Sequence, residues 1–335
     1  MTTEDRRARR TAQVKVAALA AGFDLVGITS PQRIFAAERR LLSWLKKGMH
    51  ADMKWMEREP LRRARPRRVM RGARSVMCLA VNYYQPDIAA VGGAGESSQP
   101  TGRVARYARG RDYHRLLEKR LKKFAAAVTK IALGERVGAS RLKYYVDYGP
   151  FLERSFAEAA GIGFIGKNGN LITREFGSWV FLCQVLTDIP LDFDEPARRM
   201  CGSCTKCIDA CPTGAIVAPG VVDARKCIAY LTIENRGEIP AELRAQVGDR
   251  IFGCDICQEV CPHNVRQEVT KHAEFLGGAV GERLRLGDIV KMARQEDFVQ
   301  RFAGTPVIRA KLAGMKRNAE VVYENWQRAQ AGKKK

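Results

Sequence analysis

Eight of the chain's 10 cysteines fall between Cys201 and Cys261, and their spacing limits what that stretch can fold around. Cys201-x2-Cys204-x2-Cys207-x3-Cys211-Pro212 is a complete bacterial ferredoxin run. Three thiolates at that spacing wrap one [4Fe–4S] cube, and the proline turn carries the fourth thiolate to another cube. The second run, Cys254-x2-Cys257-x3-Cys261-Pro262, is one thiolate short, because Ile251 occupies the place of its first cysteine. Cys227 is the one unassigned cysteine nearby, and it restores eight ligands for two cubes. The crossover rule then gives one cluster Cys201, Cys204, Cys207 and Cys261, and the other Cys211, Cys227, Cys254 and Cys257. Structural zinc also uses CxxC pairs, but it explains neither the two Cys-Pro endings nor the unequal runs. Two cubes in one small module make an electron wire, so another part of the chain must accept the electrons.

The remaining cysteines, Cys78 and Cys183, sit alone in apolar strand-like segments and read as small buried hydrophobes. A disulfide framework does not suit a chain of 335 residues without an export signal. The arginines before Val14–Ala21 superficially resemble a charged leader, but Lys15 interrupts a short stretch. Val16, Leu19 and Phe23 are helically spaced, and a strand follows over 23–28. The expectation is a helix packed before a first strand, in a cytoplasmic protein. No run of 18 apolar residues occurs, so no membrane-spanning helix is predicted.

Further along, a helix is predicted over 34–56, with Leu41, Leu42, Leu45 and Met49 on one face. Strands are predicted over 75–81, 142–146, 171–173 and 179–186. Helices are predicted in the later part of 103–123 and over 151–160. Asp87 to Thr101 reads as a loop rich in Gly, Ser and Ala. Gly161-x-Gly163-x-x-Gly166-Lys167 spells a phosphate-loop-like string, but after a helix and not a strand, the wrong context for a dinucleotide turn. Its glycines are instead expected to let backbone approach a bulky cofactor. The division predicted is a mixed domain over 1–195, a cluster module over 196–265 and a helical region over 266–335.

The ordered motifs resemble the epoxyqueuosine reductase family over nearly the whole chain. They include Gly48-Met-His-Ala-Asp-Met-Lys-Trp-Met56, Gly110-Arg-Asp-Tyr-His114, Val146-Asp-Tyr-Gly-Pro-Phe-Leu-Glu-Arg154 and Gly161-Ile-Gly-Phe-Ile-Gly-Lys-Asn168. The segment from Cys227 to Pro240 and the pair Arg317-Asn318 also match. Arg65 departs from the family's Asp before Pro66. The resemblance implies an α+β cobalamin-binding domain similar to that of reductive dehalogenases, a ferredoxin-like module with two [4Fe–4S] clusters, and a short helical C-terminal region. It implies an oxidoreductase that reduces the epoxide of epoxyqueuosine at the tRNA wobble position, using base-off cobalamin. Asp147 matches the family's proton donor, and an acid in that role calls for a raised pKa. Arg63, Asp147, Lys167, Asn168, Leu171, Ser178 and Leu182 are the implied cobalamin contacts. The expected partners are tRNA and an external low-potential electron donor. No membrane partner is expected, and the chain is expected to act as a monomer. The rival readings are a cobalamin-dependent dehalogenase of a small molecule and a ferredoxin-like carrier.

The net charge of +22 asks for a polyanionic partner. It is concentrated: Arg58–Arg74 contributes 8 − 1 = +7, and Arg103–Lys123 contributes 9 − 2 = +7. Those stretches are expected to grip tRNA phosphates without reading sequence.

Overall fold

The structure, a computed structural model, describes residues 2–87, 99–135, 140–198, 201–265, 267–276 and 278–333. Most of the loop predicted over 87–101 therefore lies outside the described residues. In chain order the strands are β1 (Leu25–Thr29), β2 (Ser75–Asn82), β3 (Thr101–Val104), β4 (Leu142–Tyr145), β5 (Gly163–Ile165) and β6 (Leu171–Thr173). They continue with β7 (Val180–Thr187), β8 (Ile216–Ala218), β9 (Val221–Val222), β10 (Arg250–Phe252) and β11 (Arg283–Arg285). The helices begin with α1 (Thr3–Ala20), α2 (Phe35–Lys46), α3 (Pro60–Arg63), α4 (Pro66–Val69), α5 (Tyr113–Gly134), α6 (Glu153–Ala159) and α7 (Lys206–Asp209). They end with α8 (Ile228–Ile233), α9 (Ala241–Arg244), α10 (Ile256–Glu259), α11 (Leu286–Val290), α12 (Gln295–Phe302) and α13 (Lys311–Lys333).

The chain divides into two compact units, and neither is one contiguous segment. The first comprises Met1–Gly48, Lys54–Asn82 and Tyr113–Cys204. The second comprises Met49–Met53, Tyr83–Asp112 and Thr205–Lys335.

The first unit is built on an antiparallel sheet of order β1-β2-β7-β4. Every residue of β2 is buried, as its uninterrupted apolar run requires. Successive side chains alternate faces, so Val76, Cys78 and Ala80 join Phe156, Ala157, Ala160 and Leu186 in one core. The long helix α5 buries Leu117, Leu121, Phe124, Val128 and Ala132, a repeat of three to four residues. Helix α1 opens with a capping box on Thr2 and Asp5. Its buried side chains are Arg10, Thr11, Val14 and Ala18, whereas Val16 and Leu19 are 65% and 52% exposed. The helix is where the spacing placed it, but it presents a different face. Arg10 is held inside because its guanidinium donates to Pro190 O at 2.6 and 3.1 Å.

Helix α2 is shorter than the predicted 34–56, since Gly48 and Ala51 adopt positive φ of 63° and 51°. It carries an acid that pattern reading passed over. Glu38 is 1% exposed and is gripped by Arg65 at 2.8 Å and Arg33 at 2.6 Å. Arg65, at the family's Asp position, is thus an ion-pair partner of a buried carboxylate.

The second unit holds a three-stranded sheet in the order β10-β3-β11, with β3 parallel to β10 and antiparallel to β11. The C-terminal region is therefore not helical throughout: 283–285 pairs with 101–103. Its core gathers Val104, Ile251, Phe252, Leu284, Phe298, Phe302, Met315 and Val322 around α11, α12 and α13. Each large apolar side chain buried there contributes roughly 1.5–3 kcal/mol. Among the described residues no helix is long and apolar enough to cross a membrane.

Candidate active site and cluster-binding module

In the first unit, Asp147 ends the β4 segment with φ +58°, a left-handed conformation rare outside glycine. Tyr148 N–H donates to Val146 O at 2.6 Å, closing a three-residue turn around it. Its carboxylate accepts from the Tyr113 hydroxyl at 2.8 Å and lies 3.7 Å from His114 Nε2. Tyr113 is clamped by stacking on Phe181 and on His114, both at 4.1 Å between ring centroids. The Asp147 side chain stays 62% exposed and can meet a substrate. His114 first, and then the Tyr113 hydroxyl, hold the Asp147 carboxyl below the usual carboxylate range. The expectation of a raised pKa on this residue is thus corrected: a partner 33 positions earlier in the chain stabilises its charged form. The raised group is its neighbour. Burial, reinforced by the charge of Asp147, pushes the Glu153 carboxyl up to about 8.

The residues implied as cobalamin contacts have several roles within the first unit. Arg63 donates to Trp55 O at 2.9 Å, and its own carbonyl accepts from Leu152 N–H at 3.0 Å, so it frames the Asp147–Leu152 loop. Lys167 donates to Gly202 O at 2.8 Å. Asn168 is buried and its side chain accepts from Asn170 N–H at 3.1 Å, shaping a turn whose Gly169 O is bonded by Arg154. Leu171 is a core residue, Leu182 packs against that core, and Ser178 is buried. The glycine string also meets a local requirement. A Cβ at Gly163 would meet Ile172 O at 2.3 Å, and one at Gly166 would meet Ile172 Cδ1 at 2.5 Å. These glycines are required by the β5–β6 hairpin itself. In chemistry the residues still suit a large cofactor: a solvent-reaching carboxyl beside stacked aromatics, bordered by a turn with little side-chain bulk.

The cysteine runs show a repeated local geometry. Cys204-Thr205-Lys206-Cys207 and Cys254-Asp255-Ile256-Cys257 each turn through a residue of nearly the same conformation, Thr205 at φ −121°, ψ 4° and Asp255 at φ −111°, ψ 4°. Cys227 (φ −70°, ψ 122°) heads α8 as Cys261 (φ −73°, ψ 124°) heads the turn at Pro262. The cysteine that sequence counting brought in therefore has the backbone of an in-run ligand. After burial, the charge of Cys211 adds to the rise of the Cys227 thiol, Cys227 to that of Cys254, and Cys254, Cys227 and Cys207 to that of Cys257. Burial pushes the Cys254 thiol up to about 12, while Ile256 N–H opposes the rise. Ala215 N–H donates to Cys211 Sγ at 3.3 Å. Half-buried thiols with amide donors fit a group that takes them as thiolates. Among the described residues, no three His, Cys, Asp or Glu side chains converge as one metal ion requires. Cys201 and Cys204 are counted with the first unit, Cys207 and Cys261 with the second. Cys78 and Cys183 are fully buried, as expected of core thiols.

The basic stretches are less uniform than their sums suggested. Arg106 and Arg109 are only 7% and 2% exposed and pair with Asp87, as Arg106 also does with Glu259 at 2.8 Å. These charges are internal struts. Arg58, Arg67, Arg68, Arg71 and Arg74 remain at the surface.

Residues 200–264 match the 4Fe-4S double cluster binding domain, and residues 63–147 match the model described as epoxyqueuosine reductase QueG, DUF1730. A double-cluster domain joined to an α+β unit with an exposed acid defines an iron–sulfur oxidoreductase. Epoxyqueuosine reductase of Synechocystis sp. is 42% identical over 85% of this chain and 94% of its own length. The crystal structure of epoxyqueuosine reductase with an epoxyqueuosine-modified tRNA-Tyr stem loop superposes with a TM-score of 0.87 at 30% identity, over 96% of this chain and 83% of that one. The Bacillus subtilis enzyme, solved with its catalytic aspartate loop swung out of the active site, gives a TM-score of 0.86 at 30% identity, over the same shares. This chain belongs to the epoxyqueuosine reductase family.

Proposed function

We propose that this chain reduces the epoxide of epoxyqueuosine at the tRNA wobble position to the alkene of queuosine. The reaction breaks both C–O bonds of the epoxide, consumes two electrons and two protons, and releases water. Cobalamin, when bound in base-off form, supplies the two-electron reduction at the epoxide carbon. Eight thiolates hold the [4Fe–4S] pair that passes electrons inward one at a time: Cys201, Cys204, Cys207 and Cys261 for one, Cys211, Cys227, Cys254 and Cys257 for the other. An external low-potential donor fills them. Residues 1–195 carry the chemistry, 196–265 the clusters and 266–335 their support, in a monomeric, cytoplasmic protein.

Asp147 gives the proton to the departing oxygen, which is a poor leaving group until protonated. Tyr113 and His114 orient that carboxyl. Arg63, Lys167, Asn168, Leu171, Ser178 and Leu182 border the cofactor, much of it through backbone. Surface arginines from Arg58 to Arg74 hold phosphates of the anticodon arm. The observation that carries this reading is the exposed, orientated Asp147 in a chain of this family. The test is nucleoside analysis of tRNA from a strain lacking this gene. Epoxyqueuosine should accumulate, and the wild-type gene but not Asp147→Asn should restore queuosine. Unchanged queuosine in the deletion strain would overturn the proposal.

A further inference from the structure

Asp147 sits at positive φ in the middle of a three-residue turn, a conformation that is rare and strained for any residue. Something outside the turn must hold it. The Asp147 N–H donates to Glu153 Oε1 at 2.9 Å, across six residues and from the first position of α6. Helix α6 is in turn fixed by Phe156 and Ala157 in the core of the first unit. We propose that Glu153 is the positioning residue that latches the Asp147 turn, tying the proton donor's backbone to a helix anchored in the core. This inference rests on the reading of Asp147 as proton donor.

The surroundings explain why this acceptor serves. The charged or titratable groups facing Glu153 are Asp147 in the turn, Arg154 on its own helix, Arg63 from α3, His114 from α5, Cys78 from β2 and Cys183 from β7. With its carboxyl raised to about 8, Glu153 is uncharged at neutral pH and can lie beside the Asp147 carboxylate without like-charge repulsion. Ionisation makes Glu153 a stronger acceptor of the Asp147 N–H, but burial and the facing Asp147 charge oppose it more, so the protonated form is the one the latched turn favours and the latch is strained above that pH.

Two readouts test this on the full chain. The first is hydrogen exchange of the peptide spanning Asp147, measured without cofactor. Glu153→Ala should lower protection of the Asp147 amide by about tenfold, the equivalent of one hydrogen bond, with α6 still protected. Glu153→Gln, which keeps an oxygen acceptor, should retain the protection. The second is turnover by the reconstituted enzyme. Glu153→Ala should lower kcat by about 100-fold, as expected for a misplaced catalytic group, with KM for tRNA unchanged. Glu153→Gln should recover most of that loss and abolish the fall in kcat expected of the wild type above pH 8. Wild-type protection and turnover in Glu153→Ala would overturn the latch, as would an unaltered alkaline limb in Glu153→Gln. If Asp147→Asn is inactive while Glu153→Ala is normal, the latch alone fails. If Asp147→Asn is fully active, the donor reading fails. Should Glu153→Ala not fold, Glu153→Gln carries the test through its pH profile.

Discussion

Arg317 offers the sharpest perturbation of the cluster module. It is 7% exposed, and its guanidinium donates to Leu231 O at 2.7 Å, Asn235 O at 2.9 Å and Gly237 O at 2.5 Å. Those carbonyls lie at and beyond the end of α8, the helix that Cys227 heads. Beside it, Asn318 Nδ2 donates to Thr232 O at 2.8 Å and to Ile251 O at 2.9 Å, in the strand just before Cys254. Two side chains of α13 thus tie the Cys227 helix to the Cys254 approach. Arg317→Ala removes three charge-assisted bonds to backbone carbonyls, each worth roughly 1.5–3 kcal/mol, and the guanidinium's bonds to Asn318 Oδ1 at 2.8 and 3.2 Å. Burial already lowers the Arg317 pKa, so deleting the charge returns part of that desolvation cost. A net loss of about 3 kcal/mol remains, or about 4 °C in Tm for 335 residues at roughly 2.1 cal/mol/K each. The assay pairs thermal unfolding with iron and sulfide content. The expected result is a lowered Tm with selective loss of the cluster that uses Cys227, the other cluster's iron being kept. A wild-type Tm with full iron in Arg317→Ala would refute the reasoning.

Three further outcomes follow. Cys227→Ser should cost one cluster, about half of the iron, whereas Cys78→Ala should cost none; iron analysis and low-temperature spectroscopy distinguish them. Glu38 is held below its ordinary pKa by Arg65 above all, so its contribution to stability is present above about pH 4.5 and disappears as pH falls through its folded pKa. Denaturant titrations of wild type and Glu38→Gln should therefore diverge at pH 7 and converge in acid. Removing the surface charges of Arg67 and Arg68 together should weaken tRNA binding at low salt and reduce the slope of log affinity against log salt by roughly one to two, as read by filter binding over a salt series.

Some of this architecture was legible in the residues, and the failures have physical reasons. The cysteine runs announced the clusters, because thiolate spacing is itself the ligand geometry. Strands β2 and β7 were visible as continuous apolar runs, and α5 by its periodicity. The sheet β10-β3-β11 was not, since its strands are three or four residues long and their partners are far away in sequence. Glu153 looked like an ordinary acid in a helix's first turn. Its bond to Asp147 N–H becomes visible only when the turn is seen. The depressed pKa of Asp147 was hidden for a related reason: His114 and Tyr113 reach it from another helix. The charge sums missed burial, because Arg106 and Arg109 count toward a basic stretch yet face inward.

The central place of β3 has a consequence for synthesis. Thr101–Val104 pairs with strands that begin at Arg250 and Arg283. A ribosome adding about 5–20 residues per second needs roughly 7–30 s to reach the first of them. Until then the strand leaves the ribosome with both edges open, ready to pair with any other extended chain. Glycine at 102 and arginine at 103 make that nascent segment a poor partner for itself, a guard on the wait for its C-terminal half.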